Sequence, residues 1–587
     1  MKIKKIFLVF SSFFLLLILS QSLLAQEPEV PYSGEVPLVP NVRPVIILKG
    51  SDYDMGYQHV QQLIQIYGAY YLKGAAELNH SDKKLEIFKE LEQDVRKYTP
   101  WIIDYLKGMA AASKNAGIPM TFENILAHFA SRSNVVLEES DCSGFAAWGS
   151  ATKDGKLICG GSGDHEIRLS SKYRYRYEII LFFYPESGNN FVLSPPSGGA
   201  GHPGMNNKGV IYVHHGSTNS CPSKKRLVGR NPGNGVPRIF TLLNTLRFAK
   251  STNEAKDMVL SVPGGLIGGL WADVNGNALV IESTDNPIII RKPGDHGERD
   301  FIYATNNLLS QEFKNCWDPL PPGQKTVYFP HVGWLGTGGT IGSIGRNFEL
   351  WNLFHNYHGD VDQDFAKMMW RFIGTPLPYA TIDEAVEDYE RSQAKHWNAH
   401  ISQTGNAMVG IFQPDNGNEG LIHVSHGCAV RGNDSPTYEG GVVLRLKPTY
   451  SFFELKLAAD PKNVTTAAQT RARYDLWNAY QELMKIDYSD KRFVPLDDLL
   501  NQAVVEWQKG WFYLDEASEV KGSESVIKYA KAVRCYTRTQ CYARQVYNSL
   551  VPPATRPENL DLRAWHGNWG DWISRDDYET IDDFSRK

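Results

Sequence analysis

The chain lacks most of the signatures that tie a protein to a nucleotide, a redox cofactor or a nucleic acid. It contains no P-loop, no strand-to-helix dinucleotide glycine fingerprint, no CxxC pair and no internal repeat. Two glycine-rich stretches, "GGLIGGLW" and "GTGGTIGSIG", lack the strand-to-helix setting and the Lys-Ser/Thr that phosphate binding needs, and read as turns and close packing. The formal net charge is only −4, with no basic stripe and no long block of one sign, which argues against nucleic acid as a partner. After the N-terminus no stretch is apolar enough to span a bilayer. Cysteine is scarce, and its seven copies make an odd count.

What is present is a globular composition. Of 587 residues 42% are hydrophobic and 21% charged, with 14 Trp, 29 Tyr and 26 Phe to fill a core and line an apolar pocket. At the N-terminus Lys2, Lys4 and Lys5 precede an apolar run from Ile6 to Leu19, and the small residue Ala25 follows. That order predicts a secretory signal peptide over 1–25, with an uncleaved anchor as the alternative. Export implies a periplasmic or extracellular protein. It also allows disulfides among Cys142, Cys159, Cys221, Cys316, Cys428, Cys535 and Cys541: three bridges and one thiol left over, with Cys535 and Cys541 the only close pair.

A Pro-rich lead is followed by a strand, "VIILKG", and then by helical spacing from about Tyr53 to Leu78, Lys83 to Tyr98 and Pro100 to Asn115. "MTFENILAHFASRS" adds a short helix with Thr121 as its N-cap. From Cys142 onward short β-branched and aromatic runs dominate: "CSGFAAWGSA", "KLICGG", "YEIILFFYP", "NFVLSP" and "GVIYVHH". Two helices, "PRIFTLLNTLRFAK" and "TNEAKDMVLSV", separate these from a second strand group: "GGLWADVNG", "NALVIEST", "PIIIRK" and "FIYATNN". "DVNGN" and "QPDNGNEG" are hairpin turns. Helices follow over about Asp362–Ile373 and Ile382–Ser392, and again from Thr465 to Leu550. The pattern predicts an α+β protein: a mostly helical segment over 26–141, a two-sheet core over 142–450 and a helical extension over 451–587.

The residue that asks for chemistry is Cys142, in "EESDCSGFAAWGSATKDGK". A cysteine at a strand start is ordinarily structural. It becomes a nucleophile if the chain is cut before it, because the freed α-amine, with a pKa of about 7.7–8.0, can then take the thiol proton. "CSGFAAWGSATKDGKLICGGSGDHE" resembles the opening of the N-terminal-nucleophile hydrolases of the C45 peptidase, penicillin-acyltransferase-like family, which is related to choloylglycine (bile-salt) hydrolases and phospholipase B-like proteins. Further similarities run in the family's order from about Leu48 to Gly427: "LKGSDYDMGYQHVQQL", "GMNNKGVIYV", "GLWADVNGNALVIES" and "YATNN".

The resemblance implies a four-layer αββα sandwich with helical extensions at both ends. It implies Cys142 as nucleophile and Asp141–Cys142 as a self-cleavage junction, the segment before Cys142 becoming a small subunit that stays associated. Asp164 falls on the acid that orients the new amine, and Asn306 on the amide that helps hold the oxyanion. Asn206 and His215 are supporting candidates. The implied activity is hydrolysis of a linear amide of a small molecule, N-acyl or peptide-like, through a thioester, with no metal and no cofactor. Acyl transfer to an amine, phospholipase B-like deacylation and a non-catalytic exported binding protein are the alternatives. Two departures stand out. Gly161 occupies the place where bile-salt hydrolases carry Arg, and the family's later Arg has no clear counterpart, Arg431 being one guess.

Other features read plainly. "GDHE" at 163–166 alternates faces along a strand and cannot converge on one metal. Asn79 and Asn463 head glycosylation sequons, and "WHGNWGDW" reads as packing of a terminal segment rather than a sugar platform.

Overall fold

The computed structural model describes residues 43–68, 91–118, 120–126, 142–164, 179–195, 202–213, 235–263, 268–283, 288–306, 308–312, 327–329, 333–335, 341–371, 406–415, 417–425, 438–439, 442–443 and 452–551. The N-terminal apolar run, Asp141, His215, Arg431, Asn79, "WHGNWGDW" and the expected helix over 382–392 lie outside them. No helix among the described residues is long and apolar enough to cross a membrane.

The strands in chain order begin with β1 (Val45–Gly50), β2 (Gly144–Ala147), β3 (Ile158–Asp164), β4 (Ile180–Pro185), β5 (Phe191–Leu193) and β6 (Gly204–Asn206). Then come β7 (Ile211–Tyr212), β8 (Gly269–Ala272), β9 (Ala278–Ser283), β10 (Ile289–Arg291), β11 (Phe301–Ala304), β12 (Val327–Phe329) and β13 (Gly333–Leu335). The last are β14 (Asn406–Pro414), β15 (Gly420–Ser425), β16 (Tyr438–Glu439), β17 (Val442–Val443) and β18 (Phe452–Leu457). The helices used below are α1 (Asp52–Tyr67), α2 (Trp101–Asn115), α3 (Arg238–Phe248), α4 (Thr252–Ser261), α5 (Ile341–Asn356) and α6 (Gln363–Arg371). Three long helices close the described chain: α7 (Pro461–Leu483), α8 (Phe493–Glu519) and α9 (Gly522–Leu550).

The protein is α+β with two main sheets. One has eight strands in the order β1-β4-β5-β6-β7-β8-β9-β10, and the other six in the order β11-β2-β3-β14-β15-β18. Their facing residues share one core: Ile47, Phe182, Val192 and Leu270 of the first sheet meet Ala146, Cys159, Ile302 and Phe412 of the second. The opposite face of the first sheet, with Leu48, Phe183 and Trp271, packs beneath Val60 of α1, Leu106 of α2 and Leu243 of α3. The opposite face of the second, with Phe145, Tyr303 and Ile411, packs beneath Leu350 and Phe354 of α5 and Trp370 of α6. Because both faces of each sheet are covered, central strands such as "ILFFYP" can be apolar without alternation.

Turn chemistry fixes the hairpins. In "DVNGN" the Asp273 carboxylate accepts from the backbone amides of Asn275 and Thr252, at 3.0 and 2.9 Å, and Gly276 takes φ 80°, where a side chain is disfavoured. Ser51, Ser251 and Asp460 cap α1, α4 and α7 through the backbone amides of Asp54, Glu254 and Asn463.

The core reaches beyond 142–450 at both ends. β1, the strand expected within the mostly helical segment, is an edge strand of the first sheet, and β18, in the expected helical extension, is an edge strand of the second. "GTGGTIGSIG" is also more than a turn, since Ile341–Gly345 form the start of α5. The disulfide expectation fails for the four cysteines described. Cys142, Cys159, Cys535 and Cys541 are all thiols outside disulfide distance, and the close pair Cys535 and Cys541 sits within one helix, six residues apart, on different faces.

Candidate active site

Strand register assembles the site. β11 pairs antiparallel with β2, Ala304 opposite Gly144, so continuing the ladder two residues sets Asn306 opposite Cys142. On the other flank β3 pairs antiparallel with β2, Gly161 opposite Gly144. The ladder runs on through Ser162, whose backbone N–H donates to the Ser143 carbonyl at 2.9 Å. Asp164 ends β3 two residues beyond Ser162. Three residues from 142, 164 and 306 thus gather at one end of the six-stranded sheet.

Arg346, on α5, ties two of them together. Its Nη1 donates to the Cys142 carbonyl oxygen at 2.7 Å and to Ser143 Oγ at 2.8 Å, while Nη2 donates to Asn306 Oδ1 at 3.2 Å. The neighbouring Asn347 accepts from Thr305 Oγ1 at 2.9 Å, so α5 holds the 305–306 turn by two side chains. Arg346 is fully buried, and these acceptors offset the burial of its charge. Because Asn306 presents its oxygen to Arg346, the N–H₂ end of the amide is turned the other way, which is the end an oxyanion needs.

The loop carrying Asn306 is held from its other side by a buried ion cluster. Glu282 on β9 accepts from Leu309 N at 3.1 Å and Ser310 N at 3.0 Å, and from Arg291 Nε at 3.1 Å. Arg291 also donates to Glu298 at 2.6 Å and to the Tyr303 carbonyl. Burial opposes the charge on Arg291, but Glu282 and Glu298 overcome it and raise its pKa above that of an ordinary arginine.

Cys142 itself is 3% exposed, and its Sγ lies 3.9 Å from His202 Nε2. Two glycines account for that approach. Gly161 and Gly410 are paired across β3 and β14, in line with Gly144 on β2. A Cβ on Gly161 would fall on the Val213 carbonyl oxygen, and one on Gly410 would sit 2.9 Å from Pro203. The glycine row lets the end of the eight-stranded sheet press against the six-stranded one beside Cys142, carrying His202 with it. The same contact explains why no Arg stands at 161: no side chain fits there.

The other thiols have different surroundings. Burial pushes the pKa of Cys159 well up, with Asp273 adding to the rise, and burial likewise raises Cys535 despite Arg538 Nη2 at 3.4 Å. Among the described residues, Cys142 is the thiol set beside an imidazole nitrogen.

Asn206 does not serve the site. Its amide nitrogen donates to the Leu246 and Ala249 carbonyls, both at 2.8 Å, and its oxygen accepts from Lys208 N and Val210 N, both at 3.0 Å. Both N–H donors are consumed in pinning the β6–β7 turn to the end of α3, which corrects the supporting role expected for it. Arg346 and His202 were not foreseen. Arg346 was hidden in a glycine-rich stretch whose helical period begins only at 341, and His202 had no signal beyond its place before "PGMN". Among the described residues no group of three His, Cys, Asp or Glu could hold a metal ion. Compared with known proteins, the chain matches no family model and no curated sequence.

Proposed function

We propose that this chain is an N-terminal-nucleophile hydrolase of the C45-like kind, exported and self-cleaving, that hydrolyses a linear amide through a thioester on Cys142. The observation that carries the reading is the Arg346 bridge, which joins the Cys142 carbonyl to the Asn306 amide at the end of a two-sheet core. Helices on the outer faces of both sheets fit the αββα sandwich of that class. In this reading the cut falls at Asp141–Cys142. The fragments stay together because β1, from the first fragment, pairs with β4, from the second, over six positions.

The chemistry follows from the geometry. Cys142 Sγ attacks the amide carbonyl, and the carbonyl oxygen becomes an oxyanion that the Asn306 N–H₂ group meets; a donor of this kind contributes about 10²–10³ in rate. Collapse breaks the C–N bond and releases the amine, which takes up a proton. Water then adds to the thioester carbonyl, and the C–S bond breaks to return the thiol and release the carboxylic acid. An amine in place of water would give acyl transfer. The α-amine of Cys142 shuttles the protons, and Asp164 is the acid that the family resemblance assigns to orient it.

Intact-mass measurement tests the reading. The purified protein is expected as two fragments meeting at Asp141–Cys142, and Cys142→Ala as one uncut chain that turns over no N-acyl amide. An uncut wild-type chain, or a Cys142→Ala protein with retained amidase activity, would sink it. A parallel phospholipid panel separates amide hydrolysis from deacylation.

A further inference from the structure

The amine that serves as base in the mature enzyme does not exist before the chain is cut. Until then the nitrogen of Cys142 is an amide nitrogen, with no basic lone pair, yet the cut begins with a thiolate. A separate proton acceptor is therefore needed at Sγ for that one event. Among the described residues the His202 ring stands at that position, its Nε2 3.9 Å from Sγ. This is long for a direct proton transfer, but contacts of catalytic pairs commonly tighten only as reaction begins.

His202 is held rather than loosely placed. Its ring packs edge-on against Tyr212, with centroids 5.9 Å apart, and the Tyr212 hydroxyl donates instead to the Gly268 carbonyl at 2.8 Å. The following residue, Pro203, accepts from Ser194 N at 2.9 Å and abuts Gly410 of the other sheet. The glycine row therefore has a functional consequence: it sets an imidazole against the thiol that lies two residues before β2.

We propose that His202 is the base that activates Cys142 for self-cleavage, acting in the uncut chain before the α-amine is available. This rests on the reading of Cys142 as nucleophile given above. Nε2 takes the Sγ proton, and the thiolate attacks the carbonyl carbon of Asp141. The imidazolium then returns the proton to the Cys142 nitrogen as the C–N bond breaks, leaving a thioester between Asp141 and Sγ and a new α-amine. Water, deprotonated by the same ring, attacks the thioester; the C–S bond breaks, the thiol is restored and Asp141 gains a carboxylate. Atoms and protons balance with water as the only co-reactant.

The test uses the full chain made by cell-free translation, so that cutting is followed from the uncut state. Fragment formation is timed by gel and intact mass for wild type, His202→Gln and His202→Ala, the last with and without added imidazole. Alkylation of Cys142 by iodoacetamide is mapped on the uncut chain in parallel. His202→Gln is expected to slow cutting by about 10²-fold or more, the usual contribution of general acid–base catalysis. Imidazole is expected to restore cutting to His202→Ala, a rescue that a packing role does not produce. Cutting of His202→Gln at the wild-type rate, or an absence of rescue in a His202→Ala protein that melts like wild type, overturns the proposal. If the wild-type chain never cuts, the hydrolase reading fails, and alkylation decides about His202 separately. Alkylation that falls in His202→Gln and recovers with imidazole in His202→Ala keeps the pair; alkylation indifferent to residue 202 overturns it.

Discussion

The two edges of the sandwich face the same difficulty and meet it with different chemistry. An edge strand exposes a row of backbone N–H and C=O groups that invite pairing with another chain. At the β1/β18 edge, side-chain amides imitate a missing strand. Gln62 and Gln58, one turn apart on α1, each serve both backbone groups of one residue at the open edge of β1. Gln62 pairs with Ile47 (2.8 and 3.5 Å) and Gln58 with Lys49 (both 2.9 Å). Arg534 of α9 donates to the Val45 carbonyl at 3.0 Å, completing positions 45, 47 and 49. Gln540 of α9 does the same for Glu454 on β18, with both bonds at 2.9 Å. The C-terminal helices are thus an edge cover for the core.

At the β10/β11 edge the clasp is ionic. Arg291 reaches from the last strand of one sheet to the Tyr303 carbonyl on the first strand of the other, and Glu282 and Glu298 hold it. A neutral amide pair satisfies local groups and nothing more. A buried charge constrains everything that neutralises it, and here Glu282 also fixes Leu309 and Ser310, just past Asn306. The ionic edge is the one beside the site, and it brings positioning that the amide edge does not supply.

Three substitutions put this contrast at risk. Arg291→Met should have the largest effect, because it strands two buried carboxylates; breaking such a cluster costs about 3–5 kcal/mol. A urea titration should show the lower midpoint, and turnover should fall further than stability alone explains as the 305–310 turn loosens. If turnover per folded molecule stays at the wild-type level, the positioning role is wrong. Gln62→Leu should cost less, about 1–3 kcal/mol, by leaving the Ile47 amide and carbonyl without their partner. Its activity per folded molecule should be unchanged, since this edge is remote in role from Cys142. A specific loss of turnover would erase the distinction between the edges.

The smallest effect concerns His423, on β15 across from Glu454 of β18. Its ring is fully buried without a hydrogen-bond partner among the described residues, and burial, aided by Lys367, Arg544 and Arg471, holds its pKa well below the ordinary histidine value. Glu454 Oε2, at 3.9 Å from Nδ1, is the charge nearest in the opposite sense. The native ring stays neutral while the unfolded chain takes up a proton below its ordinary value of about 6.5. Stability therefore falls with acid, by about 1.4 kcal/mol per pH unit while only the unfolded state is protonated. His423→Leu should flatten that part of the pH dependence of the melting temperature between pH 6.5 and 5; an unchanged slope would assign the acid sensitivity elsewhere.

Much of the local structure was legible in the chain. The "DVNGN" and "QPDNGNEG" turns, the Ser and Asp caps and the short β-branched runs each carry their cause within a few residues, and the strands and helices form where those causes lie. β18 was not foreseen: "FELKL" alternates apolar and charged residues as a strand does, but it abuts a long helical stretch and was grouped with it. Cysteine pairing was not legible at all, since spacing says nothing about which side chains face one another.

The site divides in the same way. Cys142 was singled out by residue type and its place before a strand, whereas Asn306 came only from the family resemblance, and the β2/β11 register, with Gly144 opposite Ala304, runs toward both. Arg346 lies 204 residues from Cys142 and His202 lies 60 away, and neither has a neighbour in sequence that announces its role. Local propensity and turn chemistry act over a handful of residues, so the sequence by itself determined the elements and the cysteine worth suspecting. Which histidine reaches that cysteine was decided by two sheets meeting across a row of glycines, and which arginine by a helix packed on the outer face of the six-stranded sheet, contacts that exist only once the chain has folded.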